Sequence, residues 1–295
     1  MIGPVNAPAP TRLLLGILFM LTAGLLFPVM GGFAKLLGAD YSSFQVSWAR
    51  AFGHILFLSA LFMPRMGLSL WRSRRPGLQL ARSCMLFTSN LCFFYAITFI
   101  PLAKAAAISL AAPLIVALLA WPMLGERTTK ARVVALLIGF LGVLVVIRPG
   151  TALFHWASLF ILASATAYGV YQILTRRIAA TDPPETSALW SAFVGGFGMF
   201  LVLPFVWETP ASLRDLGLFI GVGVLGATGH YCVARAFGYA PANLVSPFQY
   251  FQLLGSVAVG YLLFSEFPDS VTWIGAAIIA TSGLYIGWSQ AQRKG

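Results

Sequence analysis

The feature that most constrains this chain is a succession of long apolar runs. Ten runs of roughly 18–25 residues are separated by short segments that carry charges, proline or glycine. A helix needs about 20 consecutive apolar residues to cross a bilayer, and a chain inside lipid must satisfy its backbone hydrogen bonds internally. The sequence therefore predicts an all-α integral membrane protein. The predicted spans are residues 13–37, 42–63, 78–100, 103–124, 131–148, 155–175, 186–207, 216–238, 241–264 and 271–290.

The charged residues are few and unevenly placed. They make up 9% of the chain, whereas soluble domains carry about 25%. If the N-terminus is cytoplasmic, fourteen of the 19 Lys and Arg residues lie on the cytoplasmic side, four lie on the other, and Arg50 lies within a span. Because positive residues are retained in the cytoplasm, both termini are predicted to be cytoplasmic. The net charge of +11 comes from Lys and Arg residues in the loops between the predicted spans, so no nucleic-acid partner is predicted.

One stretch of the chain occurs twice. The first copy runs from Pro101 to Glu126 and the second from Pro241 to Glu266, at an offset of 140 residues. Each copy belongs to a set of five predicted spans, and an odd number of spans makes the second set enter the membrane in the opposite orientation. The loop at 125–132 is basic, while its counterpart at 265–272 has no Lys or Arg. The sequence therefore predicts two inverted five-helix repeats, residues 1–150 and 151–295.

The acidic residues are absent from the predicted membrane interior. All eight lie in loops or at span ends, and Glu126 and Glu266 are expected to pair with loop donors. Carboxylate proton relays and cation sites are therefore not expected, and the solute is predicted to be neutral, zwitterionic or anionic. The chain has no His/Cys spacing typical of a metal site and no nucleophile or phosphate-loop motif, so no metal, cofactor or catalytic residue is predicted. An intramembrane enzyme is retained as the remote alternative.

Polar and aromatic residues near the middle of several spans predict a central substrate cavity, because polar groups in a membrane usually face the bundle interior. Arg50 would orient a polar or anionic group, Tyr168 and Tyr250 would flank a ring, and the amides would form hydrogen bonds. Arg50 could instead snorkel or bind backbone carbonyls, and the other polar residues could join helices. The predicted binding residues are Trp48, Arg50, His54, Asn90, Tyr95, Tyr168, Gln172, His230, Gln249, Tyr250 and Gln252.

The ends of the two halves carry a family resemblance. The segments LIVALLAWPMLGERTTKARVVALLIGFLGVLVV and SVAVGYLLFSEFPDSVTWIGAAIIATSGLYI, with YAPANLVSPFQY before the second, resemble the EamA family of the drug/metabolite transporter superfamily. The resemblance implies a secondary transporter that works by alternating access between its halves in a bacterial inner membrane. It names no binding residue.

The segment GHYCVARAFGYAPANLVSPFQY is similar to the branch of the family that contains riboflavin-uptake and S-adenosylmethionine-uptake members. A cavity edged by aromatics and free of carboxylates suits a planar solute that forms hydrogen bonds. Riboflavin uptake is therefore the favoured hypothesis, with S-adenosylmethionine uptake and export of amino acids or drugs as alternatives. The predicted partners are a small-molecule substrate and the lipid bilayer, and a homodimer is left open.

Overall fold

The computed structural model describes residues 10–124, 129–178, 181–239 and 246–291, and within these ranges the chain forms helices and turns. Glu126 and Pro241, which bound the two copies of the repeated stretch, lie outside the described residues. The helices are α1 Pro10–Leu37, α2 Ser43–Met66, α3 Pro76–Ile97, α4 Leu102–Ser109, α5 Ala111–Leu124, α6 Lys130–Ile147, α7 Ala157–Ile178, α8 Pro184–Ser191, α9 Phe193–Phe197, α10 Leu203–Val206, α11 Leu213–Tyr239, α12 Phe251–Phe264 and α13 Ser270–Ala291.

Seven helical segments of the described chain are long and apolar enough to cross a membrane. Two shorter apolar helices, Phe248–Phe264 and Ser270–Ile286, follow them. The all-α class is thereby confirmed, while the count of ten spans stays a prediction. The seven segments are Thr11–Leu37, Ser43–Trp71, Pro76–Ile97, Leu102–Leu119, Lys130–Ile147, Ala157–Thr175 and Leu213–Ala236.

Two predicted spans are not continuous helices. The span at 103–124 divides into α4 and α5 at Leu110, because Pro113 cannot donate to the carbonyl of Ser109 and its ring crowds that turn. The span at 186–207 divides into α8, α9, a 3₁₀ turn at Gly198–Leu201 and α10. Glycines at 195, 196 and 198 weaken the α-helix there, and Pro204 begins a new helical turn.

The helices pair in a pattern that repeats when the two halves are exchanged. α1 packs along α11, and α3 packs along α7. Adding the 140-residue offset converts α1 into α7 and α3 into α11, so these two pairings are equivalent. α6 packs along its own counterpart, α13. This is the pattern expected of two related halves, although the boundary at residue 150 and the inverted orientation stay predictions.

The outer faces of the bundle are apolar. On α6, Leu137, Leu141 and Leu144 recur every three or four residues and are half or more exposed. An apolar helix stripe of this kind normally faces a partner or lipid rather than water. The buried apolar core lies on the other side, where α6 and α7 meet α3, α4 and α5 through residues such as Phe94 and Ile108.

Candidate substrate cavity

A cavity lies among the helices where the polar residues of both halves meet. Its wall comes from α1, α3, α4, α5, α7 and α11, together with the 3₁₀ turn at Ser246–Tyr250 and α12. It holds about 130 Å³. Ligand sites in proteins commonly hold about 300–1,000 Å³, so in this conformation the cavity is smaller than a typical site for a metabolite with a ring system.

Six of the eleven predicted binding residues lie on the cavity wall. They come from five elements, one in the first predicted half and four in the second, and the two related by the 140-residue offset face the same space. Contact between these residues and a solute stays a proposal. The six are Asn90, Tyr168, His230, Gln249, Tyr250 and Gln252.

Short hydrogen bonds fix the polar side of the wall. Ser89 Oγ on α3 lies 3.0 Å from Ser164 Oγ on α7, and Ser164 also donates to the Ser89 carbonyl at 2.7 Å. Asn90 Nδ2 donates to the Leu86 carbonyl at 2.7 Å. The two Ser89–Ser164 bonds join α3 to α7 beside the cavity, and the Asn90 bond lies within α3. The predicted binding residues did not include Ser89. Its place immediately before Asn90 on α3 was the signal that could have identified it.

The two tyrosines of the wall are held differently. The Tyr168 ring stacks on Tyr171 with a centroid separation of 5.5 Å. Tyr250 lines the cavity, and its hydroxyl lies against Gly283 of α13, where any larger residue would collide with it. Both rings are partly buried, which limits the rotamer freedom that binding would otherwise have to restrict.

Three predicted residues lie away from this wall. Trp48 stacks on Phe52 at 5.1 Å and contacts Trp207 edge-on at 5.7 Å, in a separate aromatic cluster. Tyr95 is 38% exposed and packs against Trp156. Gln172 lies on α7 outside the cavity lining. Helical spacing shows which residues share a face of one helix, but it does not show which neighbour that face meets.

A close helix contact positions the remaining two predicted residues, Arg50 and His54. A methyl group added to Gly223 of α11 would lie 2.8 Å from Gly53 Cα and 3.3 Å from the Ala49 carbonyl oxygen. Only glycine on both sides allows α2 and α11 to approach this closely. The turns that flank this contact place Arg50 beside Gly226 and His54 beside His230.

Arg50 and His54 lie one layer behind the cavity wall. A methyl group at Gly226 would contact both Met30 Sδ at 3.2 Å and Arg50 Nε at 3.3 Å, and Met30 lines the cavity. The His54 and His230 rings are 6.0 Å apart, centroid to centroid. Arg50 is 2% exposed and His54 is fully buried. Both side chains are therefore adjacent to the cavity without lining it.

Arg82, which the charge count assigned to the cytoplasmic loops, is buried on α3. Its Nη1 donates to Thr175 Oγ1 at 3.1 Å and its Nη2 donates to the Ser187 carbonyl. The guanidinium carbon lies 5.1 Å from the centre of the Tyr171 ring. Arg82 is therefore a further buried cation, and Tyr171 contacts both Arg82 and His230. Nothing in α3 indicated that Arg82 is buried, because the helix has no acidic residue to pair with it.

Ionic contacts join the two halves at the end of the cavity where α1 finishes. Lys35 Nζ donates to Glu266 Oε1 at 2.6 Å and to the Ile100 carbonyl at 3.1 Å. The Leu102 N–H donates to Glu266 Oε2 at 3.2 Å, as expected for a loop-pairing acid. The Lys35–Glu266 contact therefore links α1 and the α3–α4 turn to the α12–α13 loop, and Leu102 itself lines the cavity.

Loop carboxylates at both ends of the bundle are held as anions. Arg148 donates to both oxygens of Asp269 at 2.5 Å, and this contact lowers the pKa of Asp269 to about 2. Burial raises the pKa of Asp182, but hydrogen bonds from Ser73, the Arg74 N–H and Gln79 outweigh it and leave that pKa below its ordinary value.

The apolar helices and the cavity among them define a class, a multi-pass membrane protein with an interior cavity. Comparison with known proteins gives the family. Residues 14–148 and 155–288 each match the EamA-like transporter family, and together they cover most of the chain. The chain belongs to this family.

Relatives of known name act on different solutes. A riboflavin transporter of Rhizobium johnstonii is 28% identical over 295 residues, covering 98% of this chain and 96% of its own. An S-adenosylmethionine uptake transporter of Rickettsia prowazekii is 28% identical over 260 residues, covering 87% of each chain. The pseudopaline exporter CntI of Pseudomonas aeruginosa is 29% identical over 273 residues, covering 90% of this chain and 94% of its own. The near-equal identities support a transporter and do not select its solute.

A crystal structure of a protein with 21% sequence identity superposes with a TM-score of 0.65, covering 94% of this chain and 98% of that one. At this identity the similarity concerns the fold alone. It extends over both predicted halves, so the architecture described above is one that an experimentally solved chain also adopts.

Proposed function

We propose that this chain is a secondary transporter that moves a small polar metabolite across the bacterial inner membrane by alternating access, and that riboflavin uptake is its function. The observation that carries the proposal is the cavity of amides, hydroxyls and aromatic rings at the meeting of both halves. Among the described residues, no carboxylate lines this cavity. A neutral planar solute that forms hydrogen bonds is compatible with such a wall.

The proposed contacts follow from the positions of the wall residues. Tyr168 and Tyr250 flank the ring system, because aromatic faces stack on planar heterocycles. Asn90, Gln249 and Gln252 supply amide donors and acceptors for the polar edge of the ring. Trp48, Tyr95 and Gln172 are not part of this contact set, since they lie away from the cavity.

Orientation and movement are parts of the same proposal. Both termini lie in the cytoplasm, which puts the Lys35–Glu266 contact at the external end of the cavity. That contact closes the external end in the conformation described here. Alternating access requires it to break while the two inverted repeats rock about the bound solute.

S-adenosylmethionine uptake is the second candidate. The aromatic wall favours it because the faces of Tyr168 and Tyr250 could bind a sulfonium cation. Export of amino acids or drugs is the third, and an efflux or resistance assay separates it from uptake. An intramembrane enzyme would show turnover in detergent, where there are no two compartments.

Complementation tests the riboflavin proposal. A bacterial riboflavin auxotroph without its own uptake system is transformed with the wild-type gene, with Tyr168→Ala or with Tyr95→Ala, and membrane expression is matched. We expect growth at micromolar riboflavin with wild type and Tyr95→Ala, and strongly reduced growth with Tyr168→Ala. Absence of growth with wild type, despite normal membrane expression, would remove riboflavin as the solute.

A further inference from the structure

Arg50 is a buried cation whose charge nothing in the described chain balances. It lies in the first third of α2 and is 2% exposed. Its Nε and Nη2 are buried and make no hydrogen bond to any described residue. A buried charge without a partner is strongly unfavourable, and within a membrane it usually marks a functional site.

The described surroundings of Arg50 supply no negative charge. His54 and His230 lie on one side, and the buried Arg82 lies beyond His230 and Tyr171. Two described acids are committed elsewhere, since Glu266 pairs with Lys35 and Asp269 pairs with Arg148. Asp182, the buried described acid, is held by Ser73, Arg74 and Gln79 at a helix end. None of the described acids forms a salt bridge with Arg50, so a bound ligand could supply the missing negative charge.

The cavity gives such a ligand a short route. Met30 and His230 line the cavity and form the layer in front of Arg50. Met30 has a flexible side chain that can rotate out of a narrow opening. An acidic group in the cavity then needs to pass only one layer of side chains to reach the guanidinium.

We propose that Arg50, together with His54 and His230, forms an anion-binding site behind the cavity wall. The ligand is a small oxyanion or halide, supplied either as a free inorganic anion or as an acidic group on the transported solute. The guanidinium prefers a carboxylate or phosphate, because its parallel N–H groups match two oxygens. The site exists whichever solute is transported, so it does not depend on the riboflavin proposal.

Thermal unfolding of the purified, detergent-solubilised protein tests for a free anion. The Tm is measured in HEPES, a bulky sulfonate, and then with sodium chloride, acetate or phosphate at equal ionic strength. Arg50→Gln removes the proposed charge. Arg132→Gln is the matched control, since Arg132 is also buried but donates to the Ser289 hydroxyl and carbonyl at 3.2 and 3.3 Å.

For a free anion, the Tm of wild type and Arg132→Gln should rise saturably with at least one of the three anions, because a ligand that binds the folded state stabilises it. Arg50→Gln should lose this rise. It should also fold normally in HEPES alone, since the substitution removes an unpaired buried charge. Arg50→Lys keeps the charge without the two-pronged geometry, and should bind acetate and phosphate more weakly than wild type.

A pair of flavins tests for an acidic group on the solute. Riboflavin and riboflavin 5′-phosphate differ by one phosphate, and quenching of flavin fluorescence reports the binding of each. If the solute supplies the anion, wild type and Arg132→Gln should bind the phosphate ester about tenfold or more tightly than riboflavin, and Arg50→Gln should not.

The two tests together decide the proposal and separate it from the function. Either an Arg50-dependent Tm rise or an Arg50-dependent preference for the phosphate ester supports the site. The site does not exist if wild type shows neither effect, or if every effect that wild type shows persists in Arg50→Gln. Binding of a free anion without binding of either flavin would support the anion site and count against riboflavin transport.

Discussion

The contact between Gly53 and Gly223 gives the most direct prediction from the structure. In Gly223→Ala, the new methyl carbon would start 2.8 Å from Gly53 Cα. Non-bonded carbons are most stable at about 3.5–4.0 Å, so α2 and α11 must separate by roughly 1 Å. The obstacle is backbone, which cannot rotate away as a side chain would.

The cost can be estimated from overpacking in protein cores, which destabilises by about 1–3 kcal/mol. For chains of 150–250 residues, 1 kcal/mol corresponds to about 2–4 °C in Tm, so we expect a fall of about 2–12 °C. Gly217→Ala is the matched control. It lies on the same helix, and its added methyl meets nothing within 4 Å. The gain in helix propensity from alanine, about 0.5–1 kcal/mol, is common to both variants and cancels in the comparison.

The assay is thermal unfolding of both variants in the same detergent, with wild type alongside. The prediction is that Gly223→Ala unfolds well below Gly217→Ala. If the two variants unfold at the same temperature, the helices do not approach as described, and the placement of Arg50 and His54 beside α11 fails with that contact.

Two further predictions concern the loop carboxylates. Asp182→Asn should destabilise the protein by about 1–3 kcal/mol, because the buried Gln79 amide and the Ser73 and Arg74 donors lose a charged acceptor, whereas the exposed Asp40→Asn should have little effect. Since the pKa of Asp182 is lowered on folding, its contribution is complete above the unfolded pKa of about 3.9 and is lost as pH falls through the folded value. The Tm difference between wild type and Asp182→Asn should therefore shrink below about pH 4, and a constant difference would contradict the assignment. Glu266→Gln should release Lys35 and increase labelling of a Ser109→Cys variant by an impermeant maleimide added outside, whereas unchanged labelling would show that this ion pair does not restrict access.

The elements that could be predicted from the sequence are those that depend on local pattern. Apolar length places α1, α2, α3 and α11 within a few residues of their observed ends, because crossing lipid imposes both length and composition. Asn90 and His230, which are equivalent under the 140-residue offset, both line the cavity. The break at Leu110 could also have been read from Pro113, which removes a helical donor.

The parts that could not be predicted depend on tertiary contacts. Trp48 and Arg50 are two residues apart on α2, yet Trp48 joins an aromatic cluster and Arg50 faces α11. The approach of Gly53 to Gly223 decides which face of α2 lies towards the cavity. The residue periodicity of α2 does not indicate that α11 is its neighbour. Arg82 resembles any basic residue near a cytoplasmic loop until α7 and α8 are placed around it.

Solute uptake by proteoliposomes tests the central claim most directly, namely that a small polar solute crosses the membrane through this cavity. Purified wild type, Tyr168→Ala and Tyr95→Ala would be reconstituted at equal density and given labelled riboflavin, S-adenosylmethionine and a set of amino acids, with and without a pH gradient. The account predicts that wild type and Tyr95→Ala take up one of these solutes at similar rates. Tyr168→Ala should take it up at about a tenth of that rate or less. Uptake by Tyr168→Ala at the wild-type rate would contradict passage through the cavity, and the absence of uptake of every solute by wild type would contradict the proposed transport itself.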